Sequence, residues 1–342
     1  MAKSIESLIK IIKELPDISQ RKVCALIGAT VGDAACRPLH WIYNQETLDN
    51  ILGDEKTPEF WPESKSPFYT IPLGHRSCYN EEALTTMAAI TKNEGVVDIK
   101  KICENFKINF GAGTEYDAAL KRRKAQYDPS NRNAFPGAVE GPWIHGAVIK
   151  FLENYELYAE CFLGDSEGND LDAFCAALPI VVKLSDKDNM WEKSSEVVRL
   201  FSTHSDSLKF MEASAYLVQA FIQGVNDPIT QAKKNIHADV LEHMLEVEAN
   251  LDKPFIPTVA KFGKTCSLPG SFKGAYLCLL STGSFVDAIR LNITAGGCNC
   301  SRGNLIGAAF GAKFGIDGIP VEWLNKVDNI ENIVQQAIEI SS

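Results

Sequence analysis

Glycine weakens a helix by about 1 kcal/mol relative to alanine, yet this chain sets glycines four residues apart at Gly303, Gly307, Gly311 and Gly315. That spacing keeps them on one helix face. Only a second backbone packed directly against the face offsets their cost. The segment Val23 to Ala35 carries the matching feature, Gly28 and Gly32. Two glycine-bearing helices in mutual contact are therefore expected at the centre of the fold. The turn before the later helix, Gly296-Gly297-Cys298-Asn299-Cys300-Ser301, lies at a helix N-terminus. Free N–H groups there favour an anion or an acidic ligand side chain.

The rest of the chain reads as helices joined by loops. Ile5, Leu8, Ile9 and Ile12 mark an amphipathic first helix, ended by Pro16, with Ser19 a suitable N-cap for the second. A loop rich in proline and aromatics is expected from Glu55 to Ser77, and an irregular connection from Tyr127 to His145. Helical patterns cover 81–93, 98–110, 147–159, 191–203, 207–224, 228–250, 272–280, 285–293 and 329–340. No run alternates as a strand would. The fold class is all-α, and residues 1–342 are taken as one domain. No internal repeat of 20 to 50 residues is present.

A formal net charge of -10 argues against nucleic acid as a partner, because such a face needs clustered cations. The one basic run, Lys121 to Lys124, reads as a solvated helix face. No stretch of about 18 apolar residues offers a membrane span. With no apolar signal core at the N-terminus, the ten cysteines are expected to be reduced thiols in a cytoplasmic protein.

Cys298 and Cys300 with Cys78 and a histidine form a conceivable zinc set, but two residues is closer than structural zinc spacing. A vicinal-type thiol redox role is equally open, and plain reduced cysteines are favoured over both. His204 reads as a helix cap. Ser205, His204 and Asp206 cannot form a relay from one turn, and no phosphate-loop or dinucleotide motif is present.

The stretches around Gly28 to His40, Gly74 to Leu84 and Ala295 to Gly315 resemble, in order, three motifs of the ADP-ribosylglycohydrolase family. These are G-x-x-x-G-D-A-x-G-x-P-x-E, T-D-D-T and G-G-D-x-D-T-x-G. The resemblance implies an all-α orthogonal helical bundle and Mg²⁺-assisted hydrolysis of a glycosidic bond to ADP-ribose. Laid residue by residue, the first metal-binding triplet falls on Tyr79, Asn80 and Glu81, and the second on Cys298, Cys300 and Ser301. The motif glutamate falls on His40, while Asp33 and the shaping glycines are retained. Thiols and amides are poor partners for a hard cation. On this frame the site is vestigial: no catalytic residue, no metal, and the family Mg²⁺ lost.

Pro142 to Ala147, Ser77-Cys78-Tyr79 and Gly-Gly-Cys-x-Cys-Ser-Arg resemble the branch of that family containing selenoprotein J and the jellyfish J-crystallins. This implies a non-catalytic structural protein of the eye lens. Two alternatives stand beside it: a silent module that still binds ADP-ribose or a nucleotide, and an ADP-ribosyl hydrolase with an altered site.

Overall fold

The computed structural model describes residues 4–126, 137–158 and 164–341. Among them are eighteen α-helices, and the only sheet is a parallel pair of two-residue strands, Tyr69–Thr70 beside Val139–Glu140. No helix among the described residues is long and apolar enough to cross a membrane.

The centre is the pair of helices Asp17–Cys36 and Asn299–Phe314. The first is buried without a break from Lys22 to Cys36, the second from Asn299 to Ala312. Helices small or apolar all round belong in a core rather than at its surface. A methyl group on Gly28 would lie 2.9 Å from the Gly311 Cα and overlap the Gly307 carbonyl. One on Gly32 would lie 2.9 Å from the Gly303 carbonyl oxygen. The glycine faces thus meet backbone to backbone, as their spacing predicts.

Around this pair lie the Cys78–Lys92, Asp172–Lys183 and Ser205–Ile222 helices. Outer helices show the expected one-sided burial. Ile5–Glu14, for example, buries Ile5, Leu8 and Ile12 and is capped by the Ser4 hydroxyl, which accepts from Ser7 N–H at 3.4 Å.

Some boundaries differ from expectation. The second helix starts at Asp17 behind Pro16, so Ser19 lies inside it. The pattern over 228–250 is two helices, Pro228–Lys233 and Ala238–Glu248, because the His237 ring caps the second by accepting from Asp239 N–H at 3.3 Å. Gln45–Leu52 and Phe255–Phe262 are helices too short to stand out by periodicity, while Glu115–Gln126 is the helix that carries the basic run. The basic run is not purely a solvated face: Arg123 stacks 3.7 Å above the Trp143 ring, and Arg122 donates to the Glu140 carbonyl. Much of the irregular connection from Tyr127 lies outside the described residues.

The expectation of ten reduced thiols also changes. Eight of the described cysteines are free, but Cys103 is disulfide-bonded.

The helix crossing yields a stability test. Alanine at Gly307 gains helix propensity but drives a methyl into the Gly28 carbonyl, and overpacking of this kind costs about 1–3 kcal/mol or more. Urea unfolding of Gly307→Ala is expected to show a loss of about 3 kcal/mol. Gly146→Ala, where a methyl meets open space, is expected to be neutral or slightly stabilising.

Candidate functional site

The Cys78–Lys92 helix begins at N-cap Ser77, whose hydroxyl does not cap it. Instead Ser77 gives both its N–H and its O–H to Asp33, each at 2.6 Å. Cys78 and Glu82, four residues apart, then share one face of the first turn. Both point into the interior, with Glu82 fully buried. They meet His145, just ahead of the Gly146–Tyr158 helix, and Asp172, the first residue of Asp172–Lys183.

The contacts within this group are short. His145 Nδ1 lies 2.6 Å from Glu82 Oε1 and 3.7 Å from Asp172 Oδ2. On the other side of the ring, Nε2 lies 3.2 Å from Cys78 Sγ. Tyr79 packs its ring edge-on against His145, centroids 4.2 Å apart. Asp172 Oδ1 accepts from Ala173 N–H at 2.8 Å. Glu82 Oε2 is buried with no hydrogen-bond partner among the described residues.

Burial governs the protonation of the group. It pushes the Glu82 carboxyl up to about 7, with His145 pulling the other way. It likewise pushes Asp172 up to about 6 and the Cys78 thiol up to about 11, again against His145. Burial opposes a charged ring on His145, but Cys78 and Glu82 outweigh it and hold the imidazole well above its ordinary value.

The expectation that metal-binding capacity is lost is overturned here. Glu82, His145 and Asp172 are all buried and offer three ligand atoms within 4.8 Å of one another, a group placed to hold a metal ion. The expectation failed because it followed the family frame onto Tyr79, Asn80 and Glu81. A frame one residue later would have reached Glu82. The local signal was the Cys78 to Glu82 spacing, which puts a thiol and a carboxylate on one helical face. His145 and Asp172 come from distant segments, and nothing in the sequence joins them to that face.

The residues singled out from sequence fall into three places. His40, Tyr79 and Cys298 form a tight nest. Cys298 Sγ lies 3.0 Å from the Tyr79 hydroxyl, 3.5 Å from His40 Nε2 and 3.3 Å from Trp41 Nε1, which donates to it. His40 Nδ1 lies 3.0 Å from the Tyr69 hydroxyl, and burial pushes the His40 ring below its ordinary value. Asp33, Asn80, Cys300 and Ser301 surround the helix crossing. Asn304 donates to Asp33 at 2.8 Å and accepts from Asn80 at 2.8 Å. The Cys300 thiol faces the Asp33 carbonyl at 3.7 Å, and Ser301 Oγ donates to the Cys298 carbonyl at 3.0 Å. Glu81 stands apart. It pairs with Arg76 at 2.7 Å and lines an open cleft of about 550 Å³ with Tyr116, Arg122 and Pro142.

The turn Gly296-Gly297 that presents Cys298 has φ of 65° and 64°, a left-handed conformation suited to glycine. The buried Arg302 guanidinium pins it by donating to the Gly296 carbonyl at 2.6 Å. Two N–H groups at the start of the following helix are taken by the protein's own backbone: Cys298 donates to the Lys264 carbonyl at 2.7 Å and Asn299 to the Gly297 carbonyl at 2.9 Å. His204 caps its helix as expected, its Nδ1 accepting from Ser207 N–H at 3.3 Å.

Asp33 provides a pH test. Burial pushes its carboxyl up to about 6 from 3.8, against hydrogen bonds from Ser77 and Asn304. The folded state then holds this proton more tightly than the unfolded chain, so its contribution is fully present below pH 3.8 and lost as pH rises through about 6. Asp33→Asn is expected to reduce the fall in unfolding free energy across that window, by up to about 3 kcal/mol. Chemical denaturation at a series of pH values measures the slope. An unchanged slope in the variant would assign the titration elsewhere.

Comparison with known proteins agrees with this architecture. The ADP-ribosylglycohydrolase family model matches residues 14–341. Crystallin J1A of Tripedalia cystophora is 27% identical over 330 residues, covering 94% of this chain and 96% of its own length. Crystallin J1B of the same organism is 26% identical, covering 94% and 97%. Among solved structures, an ADP-ribosylglycohydrolase-related protein complex superposes with a TM-score of 0.62 at 17% identity, over 96% of this chain and 99% of that one. That likeness carries the fold. A family match spanning nearly the whole chain carries more: this protein is a member of the ADP-ribosylglycohydrolase family.

Proposed function

We propose that this chain is a hydrolase acting on a glycosidic bond of an ADP-ribose-type substrate, with its working centre at Cys78, Glu82, His145 and Asp172. One observation carries the reading: three helical segments bring four ionisable side chains together where the most exposed, His145, is 7% accessible. Burying carboxylates with incomplete partners costs several kcal/mol. Strongly perturbed groups of this kind cluster at working sites. The substrate class follows from the family.

The family's pair of Mg²⁺ ions does not fit the positions its motifs designate. Those positions hold Tyr79, Asn80, Glu81, Cys298, Cys300 and Ser301, of which Glu81 alone is a carboxylate and is paired with Arg76 at 2.7 Å, and the Cys298 thiol is enclosed by aromatic rings. No step is assigned to such a pair. The chain's own residues support hydrolysis in another way. Glu82 accepts from His145 Nδ1–H and orients the ring, so that the charged imidazole can give its Nε2 proton to whatever lies on the Cys78 side. Asp172 adds negative charge that stabilises the protonated ring. The cleft lined by Arg76, Tyr116 and Arg122 also reaches Pro142, three residues before His145.

A second reading is favoured by the closed nest around Cys298 and by the likeness to two crystallins over nearly their whole length. In it the chain serves as a structural protein, and its net charge of -10 limits self-association.

The two readings separate in one assay. Release of ADP-ribose from a modified peptide is measured with Mg²⁺, Mn²⁺ or Zn²⁺ added in turn. The hydrolase reading expects turnover that falls about 100-fold or more in Glu82→Gln, the scale of a lost acid–base group. No turnover by the wild-type protein under any of the three conditions would promote the structural reading.

A further inference from the structure

The Glu82, His145 and Asp172 group presents more acceptors than its surroundings satisfy. A single Nδ1–H on His145 serves Glu82 Oε1 at 2.6 Å. Glu82 Oε2 is then left without a partner in the interior, and Asp172 Oδ2 stands 3.7 Å from the same nitrogen, beyond hydrogen-bond reach. An orphaned buried carboxylate oxygen is costly, and no Lys or Arg forms an ion pair with Glu82 or Asp172 among the described residues. A cation taking the place of the Nδ1 proton, which is released to solvent on binding, supplies positive charge that three atoms share at once.

We infer that Glu82, His145 and Asp172 hold a single first-row divalent cation of the zinc type, bound through His145 Nδ1 and one oxygen from each carboxylate. The donor set selects the class. Imidazole suits zinc, iron, nickel and copper, whereas Mg²⁺ seeks an all-oxygen shell. Three protein ligands with a further position open is the pattern of catalytic rather than structural zinc. The ligand atoms lie within 4.8 Å of one another, so each needs to move little to reach bonds of about 2.0–2.2 Å.

The surroundings support the ring in that role. A ligating histidine normally gives its other N–H to an acceptor, which fixes its orientation. Here Nε2 faces Cys78 Sγ at 3.2 Å, and Tyr79 packs against the ring. Cys78 is thus a positioning residue behind the histidine, not a ligand. The site differs from the set the family motifs designate: it uses the carboxylate after Glu81 and draws on two segments outside those motifs. Binding of the ion does not depend on the hydrolase reading, and its test is independent of turnover.

Cobalt(II) serves as the probe, because its spectrum distinguishes nitrogen and oxygen ligands from thiolates. Metal-free full-length protein is titrated with Co²⁺ and followed by visible absorption and X-ray absorption at the cobalt edge. The inference expects one equivalent bound, weak visible bands, and a first shell of nitrogen and oxygen with no sulfur. Glu82→Gln and Asp172→Asn are each expected to weaken binding at least 10-fold, and Glu81→Gln to leave it unchanged. Failure of the wild-type protein to bind one equivalent overturns the inference, as does sulfur in the first shell. If the variants misfold by circular dichroism, the wild-type edge spectrum alone decides. One bound ion without ADP-ribose release would leave this site standing and remove the hydrolase reading.

Discussion

The close approach of two backbones, Gly28 and Gly32 on one helix against Gly303, Gly307 and Gly311 on the other, is the contact the rest of the molecule depends on. It fixes more than packing. Asp33 follows Gly32 directly, and Asn304 follows Gly303, so the crossing brings a carboxylate and an amide together without further design. Asp33 then reaches out of the crossing to take both donors of Ser77. The start of the Cys78–Lys92 helix is tethered to the core by a buried carboxylate in place of an ordinary cap. Through that tether the crossing sets where Cys78 and Glu82 point, and hence where they meet His145.

Two buried histidines show how neighbours decide chemistry in the same interior. His40 lies among Trp41, Tyr69, Tyr79 and the Cys298 thiol, none of them a carboxylate, and burial pushes it toward the neutral ring. His145 is buried as well, yet Glu82 at 2.6 Å and Cys78 favour its charged form. Burial penalises both rings, and the nearest acid reverses the outcome for one. The nest around Cys298 is closed among rings and holds that thiol well below its ordinary value, against burial, through Cys266 and His40, while the group around His145 keeps a charged ring beside two carboxyls.

The fold was largely legible in the sequence because its strongest signals are local. Glycines four apart, the Ile5 to Ile12 stripe and the aromatic loop before Ser77 each point to one structure at short range. Helices such as Gln45–Leu52 and Phe255–Phe262 escaped because each spans only 8 residues and contributes little periodicity. The candidate site was only half legible. Glu81 drew attention because it occupied a motif position, yet its carboxylate pairs with Arg76 beside the open cleft. Glu82, one residue on, turns about 100° further round the helix and enters the interior. The contributions of His145 and Asp172 depend on how distant helices pack, which periodicity does not encode.

Loss of carboxylates at one end of a site need not silence the other end. Cys298 and Cys300 stand where the family motif has acids, and the turn is filled by rings and by the Trp41 N–H. Glu82 and Asp172 are each pushed upward by burial, and neither is paired with a Lys or Arg among the described residues. What offsets their burial is the His145 ring that both approach through Nδ1.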